Sequence, residues 1–79
     1  IKDIITSAYN AMRFTRQGQS CTAASRIYIH KSKFDEFVSL FKEHLNNLTI
    51  GDPFDQNTDV GAIISKSQYD KIKNYIDSA

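Results

Sequence analysis

A single cysteine in 79 residues leaves no partner for an internal disulfide, and fits a reducing compartment. There is no tryptophan, one proline and only three glycines, so few breakers interrupt the chain. No apolar run approaches the roughly 20 residues of a membrane span, so no membrane association is expected. Ile1 stands first in place of Met, and no charged-then-apolar leader follows it, so no signal peptide is visible and a cytoplasmic setting is expected. Neither sign of charge dominates: ten basic against nine acidic side chains give +1. No field is present that would recruit nucleic acid or an anionic membrane surface. The two histidines, His30 and His44, have no carboxylate or thiol at ligand spacing, so no metal site is expected. What remains is a small chain, 41% apolar with nine Tyr and Phe, which allows one small domain or a piece of a larger one.

The apolar residues are patterned. Ile1, Ile4, Ile5, Ala8, Ala11 and Met12 recur at helical spacing and predict a helix over about 1–15, with Gly18 as its stop. Arg26-Ile27-Tyr28-Ile29-His30 alternates and is β-branched and aromatic, which predicts a strand over 26–30. Ser32 with Asp35 reads as an N-cap signature. Behind it, Phe34, Phe37, Val38, Phe41, Leu45 and Leu48 form the cleanest helical stripe, predicting a helix over 32–48. Gly51-Asp52-Pro53 carries turn chemistry, and 54–64 reads as an extended loop. Ser65 with Gln68 opens a last helix over 65–78, with Tyr69, Ile72, Tyr75 and Ile76 on one side. No internal repeat or low-complexity tract occurs. The fold class expected is α/β, three helices and one main strand. A lone strand needs partners on both edges, so the order reads as a slice of a larger domain.

Cys21 is the residue with chemistry to explain. A lone cysteine is commonly a small buried hydrophobe. Its context opens a second reading. Gly18 permits close backbone approach. The small residues after Cys21 can start a helix whose N-terminal amides favour a thiolate, and Arg16 and Arg26 add positive charge nearby in sequence. The residues alone leave both readings open.

Phe14-Thr15-Arg16-Gln17-Gly18-Gln19-Ser20-Cys21-Thr22-Ala23-Ala24-Ser25-Arg26 resembles the active-site cysteine signature of the aldehyde dehydrogenase superfamily. That signature is an apolar or aromatic residue, three positions, Gly-Gln-x-Cys, then small residues and an Arg. Phe34, Asp35, Phe37 and Val38 are similar to the helix that follows the family's next strand. Ile50-Gly51-Asp52-Pro53-Phe54-Asp55, with Thr58-Asp59-Val60-Gly61 after it, resembles the family's Gly-(Asp/Asn)-Pro loop and its following Gly. Arg16 stands where many members carry Asn, and Ala62 where Pro is usual. Residues 1–79 thus look like part of the family's catalytic domain, with no cofactor-binding domain present.

The resemblance implies that Cys21 attacks an aldehyde carbonyl to give a thiohemiacetal. Hydride transfer to NAD or NADP leaves a thioester, which water hydrolyses to the carboxylic acid. Sulfur suits both roles, nucleophile and leaving group. The backbone N–H of Cys21 would help hold the oxyanion, Ser20 and Thr22 would flank the substrate, and Phe14, Gly18 and Gln19 support the motif. The family's water-activating Glu and oxyanion Asn lie upstream of this segment; Glu36 and Glu43 match neither role. No Gly-rich phosphate loop follows a strand, so these residues are expected to bind no cofactor and to be inactive alone. The full-length parent is expected to be a homo-oligomer.

The remaining features are bland. His30 is placed at the solvent end of the strand and His44 on a helix surface. The triplet Asn47-Leu48-Thr49 has the form of a glycosylation acceptor without a secretory context. Lys66, Lys71 and Lys73 form a solvated face. The alternative to the enzyme reading is a stand-alone helical interaction module with a structural cysteine; a thiol redox or acyl-transfer protein lacks a second Cys and a base.

Overall fold

The computed structural model describes residues 1–79. Three helices form where the apolar periodicity places them: α1 at Lys2–Met12, α2 at Phe34–Asn46 and α3 at Lys66–Ser78. Two short 3-10 turns, Phe14–Arg16 and Lys31–Lys33, lead away from α1 and into α2. Of 44 backbone hydrogen bonds, 27 lie inside the regular elements, all of which are helical.

The α/β expectation is therefore corrected: the molecule is helical, and 26–30 is not a strand. The alternation there is real at the level of side chains, since Tyr28 is 92% exposed while Ile29 is half-buried. Alternation sets which face a side chain takes, but a strand exists only when its amides and carbonyls find a neighbouring chain. No segment among these residues offers one. The single β pairing lies elsewhere, an isolated parallel bridge between Ile50 and Val60, the latter within the 54–64 segment read as an extended loop.

The helix boundaries move inward for local reasons. Helix α1 ends at Met12, short of the expected residue 15 and of Gly18. Arg13 adopts a left-handed conformation (φ 52°, ψ 47°) and its amide donates to the carbonyl of Asn10. Ser32 does not cap α2; Lys33 precedes that helix and lends no side-chain bond. The cap serves the preceding turn instead, where the amide of Ser32 donates to Nδ1 of His30 at 3.3 Å. At α3 the expected cap forms, with the amide of Gln68 donating to Ser65 Oγ at 3.1 Å.

Helix α1 packs on α2 around the two buried side chains, Ile5 (4% exposed) and Phe37 (5% exposed). An aromatic chain extends this seam. Phe37 stacks on Phe41 (ring centroids 5.3 Å apart), Phe41 meets Phe14 at 6.1 Å, Phe14 stacks on Tyr9 at 5.8 Å, and Tyr9 meets His44 at 4.7 Å. His44 is thus half-buried against α1, not a surface residue. The core is small: burying one such side chain contributes about 1.5–3 kcal/mol. The radius of gyration is 14.1 Å, above the roughly 12 Å of a compact chain this long. Helix α3 buries nothing fully and leaves Tyr69, Tyr75 and Ile76 more than half exposed. No helix is long and apolar enough to cross a membrane.

Candidate functional site

The cysteine lies on a loop that leaves the end of α1 and returns to it. Phe14 anchors the departure by inserting between Tyr9 and Phe41. The return is fixed by the amide of Ala24, which donates to the carbonyl of Ala11 at 2.8 Å. That carbonyl lies in the last turn of α1, where carbonyls lack helical partners, so the loop satisfies a group the helix end leaves open.

The backbone turns into positive φ three times, at Arg13 (52°) just ahead of the first anchor and at Gln17 (51°) and Gly18 (78°) between the two. Gly18 is required for that conformation and not for close approach, because a Cβ there would meet nothing within 4 Å. Amides of Arg16, Gln17 and Gln19 donate to the carbonyls of Arg13, Phe14 and Arg16, at 3.0, 3.1 and 3.0 Å. The motif-supporting residues Phe14, Gly18 and Gln19 therefore shape one continuous turn system.

Cys21 sits at the second position of a turn closed by the Ala23 amide donating to the Ser20 carbonyl at 3.2 Å. Its thiol is exposed, so the reading of a buried hydrophobe does not apply. The flanking hydroxyls of Ser20 and Thr22 approach to 3.3 Å, within hydrogen-bonding distance. The Cys21 amide donates to no protein acceptor. No helix begins at Cys21. Residues 21–23 form the turn and 24–30 run without regular structure, so no helix N-terminus lies at the cysteine.

A second loop completes the site's surroundings. Thr49 binds Asp59 twice over: its amide donates to Asp59 Oδ2 at 2.9 Å and its carbonyl accepts from the Asp59 amide at 2.8 Å. The Gly51 amide donates to the Val60 carbonyl at 3.1 Å. Asp52 and Asp55 each accept from a backbone amide two residues on, those of Phe54 and Asn57, both at 2.9 Å. The sequence marked this stretch as turn-rich; its internal bonding depends on Asp59 reaching ten residues back, which no local pattern signals.

The two loops meet. A Cβ on Gly61 would lie 3.3 Å from Nε2 of Gln17 and 4.0 Å from Cβ of Pro53. Gln17, which the sequence marks only by its place in the motif, brings the cysteine loop up against Gly61 at the end of the second loop.

Two of the four surface depressions are prominent. One is an apolar groove lined by Ile1, Ile4, Ala8, Ile27, Ile29 and Phe37, and the other a polar hollow along α3. Neither includes Cys21, Ser20 or Thr22. Arg16 and Arg26 are exposed and take part in neither of the two ion pairs, Lys33–Glu36 (3.5 Å) and Lys66–Asp70 (2.9 Å). No group of three or more His, Cys, Asp or Glu side chains is placed to hold a metal ion.

Comparison with known proteins gives a consistent result. The model of the aldehyde dehydrogenase family matches residues 2–79. An aldehyde dehydrogenase-like protein of Schizosaccharomyces pombe is 51% identical over 61 residues, 76% of this chain and 12% of its own length. The 5-carboxymethyl-2-hydroxymuconate semialdehyde dehydrogenase of Escherichia coli is 48% identical over 63 residues, covering 80% of this chain and 13% of that protein. A betaine aldehyde dehydrogenase of Vibrio vulnificus is 38% identical over 77 residues, 98% of this chain and 16% of the relative. The chain thus spans between 12% and 16% of these relatives. No solved structure matches.

Proposed function

The chain belongs to the aldehyde dehydrogenase family, and from that premise we propose that it is the segment supplying the nucleophile of an aldehyde-oxidising enzyme, with Cys21 in that role. The observation that carries this reading is the exposed thiol of Cys21 on a doubly anchored turn, beside its own unpaired amide.

The chemistry follows from that placement. The Cys21 sulfur, as thiolate, forms a C–S bond to the carbonyl carbon of an aldehyde, and the π pair of the carbonyl moves to oxygen. The Cys21 N–H donates to the oxyanion so formed; one such donor is worth about 2.7–4 kcal/mol when preorganised. Ser20 and Thr22, their hydroxyls paired with each other, line the approach to the sulfur. Oxidation of the adduct to a thioester requires a hydride acceptor, NAD or NADP in our reading.

The residues present do not fit that dinucleotide. A phosphate cradle needs glycines on the turn from a strand into a helix. Gly18 lies ahead of the cysteine turn, Gly51 and Gly61 flank the second loop, and none opens a helix. We therefore place the acceptor site and the water-activating base outside these 79 residues, and assign no step on this chain to them. The two principal depressions do not border Cys21, and we assign the rest of the aldehyde pocket to residues outside this chain as well.

The test is Cys21→Ser in the full-length polypeptide that carries these residues. A serine hydroxyl is a poor nucleophile without a dedicated base. Aldehyde oxidation should fall by several orders of magnitude with dinucleotide affinity nearly unchanged. Activity within about tenfold of the parent, or roughly 1.4 kcal/mol of barrier, would remove Cys21 from the role.

A further inference from the structure

The contact between Gln17 and Gly61 joins two loops far apart in sequence, and it lies four residues from the cysteine. Gln17 holds a left-handed backbone conformation (φ 51°) that a side chain with a Cβ adopts reluctantly. Such a conformation persists only where the surroundings over-determine it. Two features do so here. The Gln17 amide donates to the carbonyl of Phe14 at 3.1 Å, and the half-buried side chain lies across Gly61.

The platform under that side chain is stiff. The Thr49–Asp59 and Gly51–Val60 bonds tie the second loop to itself directly ahead of Gly61. Gly61 contributes room here and not a backbone angle: its φ lies outside the left-handed region, whereas a Cβ there would lie 3.3 Å from Gln17 Nε2 and press that side-chain end aside by a few tenths of an ångström. The two glycines therefore serve opposite ends, Gly18 a conformation and Gly61 a space.

We infer that Gln17 is a positioning residue: its side chain, seated on Gly61, latches the cysteine loop to the second loop and so fixes the turn that presents Cys21. This inference rests on the nucleophile reading given above. The latch acts on the backbone of 17–23 and leaves substrate and cofactor untouched.

The experiment is a double-mutant cycle in the full-length polypeptide, with Gln17→Gly and Gly61→Val singly and together. Gln17→Gly keeps the left-handed backbone accessible and removes only the side chain. It should lower kcat for aldehyde oxidation about tenfold while dinucleotide KM stays within twofold. Gly61→Val should displace Gln17 and lower kcat comparably, but should add less than twofold in the Gln17→Gly background, where its partner is gone. Effects that multiply, or a Gln17→Gly enzyme within twofold of the parent in kcat, would overturn the latch. Hydrogen exchange gives a readout independent of catalysis. In Gln17→Gly the amides of Gln19 and Ala23 should exchange at least tenfold faster, with the amides of α2 unchanged. Unaltered exchange at Gln19 and Ala23 overturns the proposal even if Gly61→Val fails to fold. Failure of Cys21→Ser to abolish activity would sink the nucleophile reading while leaving these exchange rates as they are.

Discussion

The amide of Ala24 donates to the carbonyl of Ala11 at 2.8 Å, and this bond closes the cysteine loop onto the end of the helix from which it departs. It joins residues thirteen apart, and Phe14 pins the same loop to α2 through Phe41. A turn carrying an exposed cysteine is thereby referred to the α1–α2 seam, where the two buried side chains Ile5 and Phe37 lie.

That bond can be removed without touching a side chain that packs. Ala24→Pro deletes the donor and leaves the Ala11 carbonyl without its partner. Stability should fall by about 1–3 kcal/mol, the penalty for an unmade hydrogen bond. Hydrogen exchange at Ala23 should rise at the same time, because the turn at Ser20–Ala23 loses its downstream anchor. Protection at Ala23 equal to wild type would show that Phe14 alone holds the loop.

The α1–α2 seam rests on very few side chains, which makes it sensitive. Phe37→Ala removes a 5%-exposed ring from contact with Phe41, and such truncations cost about 3–5 kcal/mol. Phe34, three residues earlier on the same stripe, is 52% exposed. Phe34→Ala should cost less than half as much. The comparison is a pair of urea titrations followed by far-UV circular dichroism, and equal midpoints for the two variants would contradict the assigned core.

The stripe from Phe34 to Leu48 was legible because helical spacing is a local property, and so was the Ser65 cap, which needs only residues three apart. The strand at 26–30 was misread for the complementary reason. Ile27 and Ile29 report that one face of the segment is apolar, and pairing depends on a neighbour that a local pattern cannot supply. The end of α1 was missed because Arg13 takes a left-handed turn with no glycine to announce it. At the candidate site, the motif singles out Cys21, Ser20 and Thr22, which the structure places on one turn. The reach of Asp59 to Thr49 and the seating of Gln17 on Gly61 join distant residues and were legible only in three dimensions.

The two cap signatures, alike in sequence, separate cleanly by mutation. Ser65→Ala removes the acceptor for the Gln68 amide and should destabilise α3 by about 1 kcal/mol, read as reduced helicity. Ser32→Ala should leave α2 nearly unchanged, since no side chain caps that helix and the Ser32 hydroxyl bonds only Nδ1 of His30, in the turn ahead of it. A loss of helicity in Ser32→Ala as large as in Ser65→Ala would show that Ser32 caps α2 in solution.

The last prediction concerns the 79 residues by themselves, which should bind neither NAD nor NADP and oxidise no aldehyde. The thiol is exposed and one oxyanion donor is free, but neither described depression borders them, and no glycine opens a helix to receive a diphosphate. Holding reactants in near-attack geometry can account for as much as about 7–11 kcal/mol of a barrier, and a chain without a site for the hydride acceptor has no access to that contribution. The thiol itself should remain competent in the simpler reaction its exposure allows, alkylation by iodoacetamide at a rate comparable to a free cysteine. Calorimetric titration of the 79-residue chain with each dinucleotide, alongside that alkylation rate, separates the two properties. Micromolar dinucleotide binding would show that these residues carry a cofactor site, and an unreactive thiol would show that Cys21 is shielded in solution.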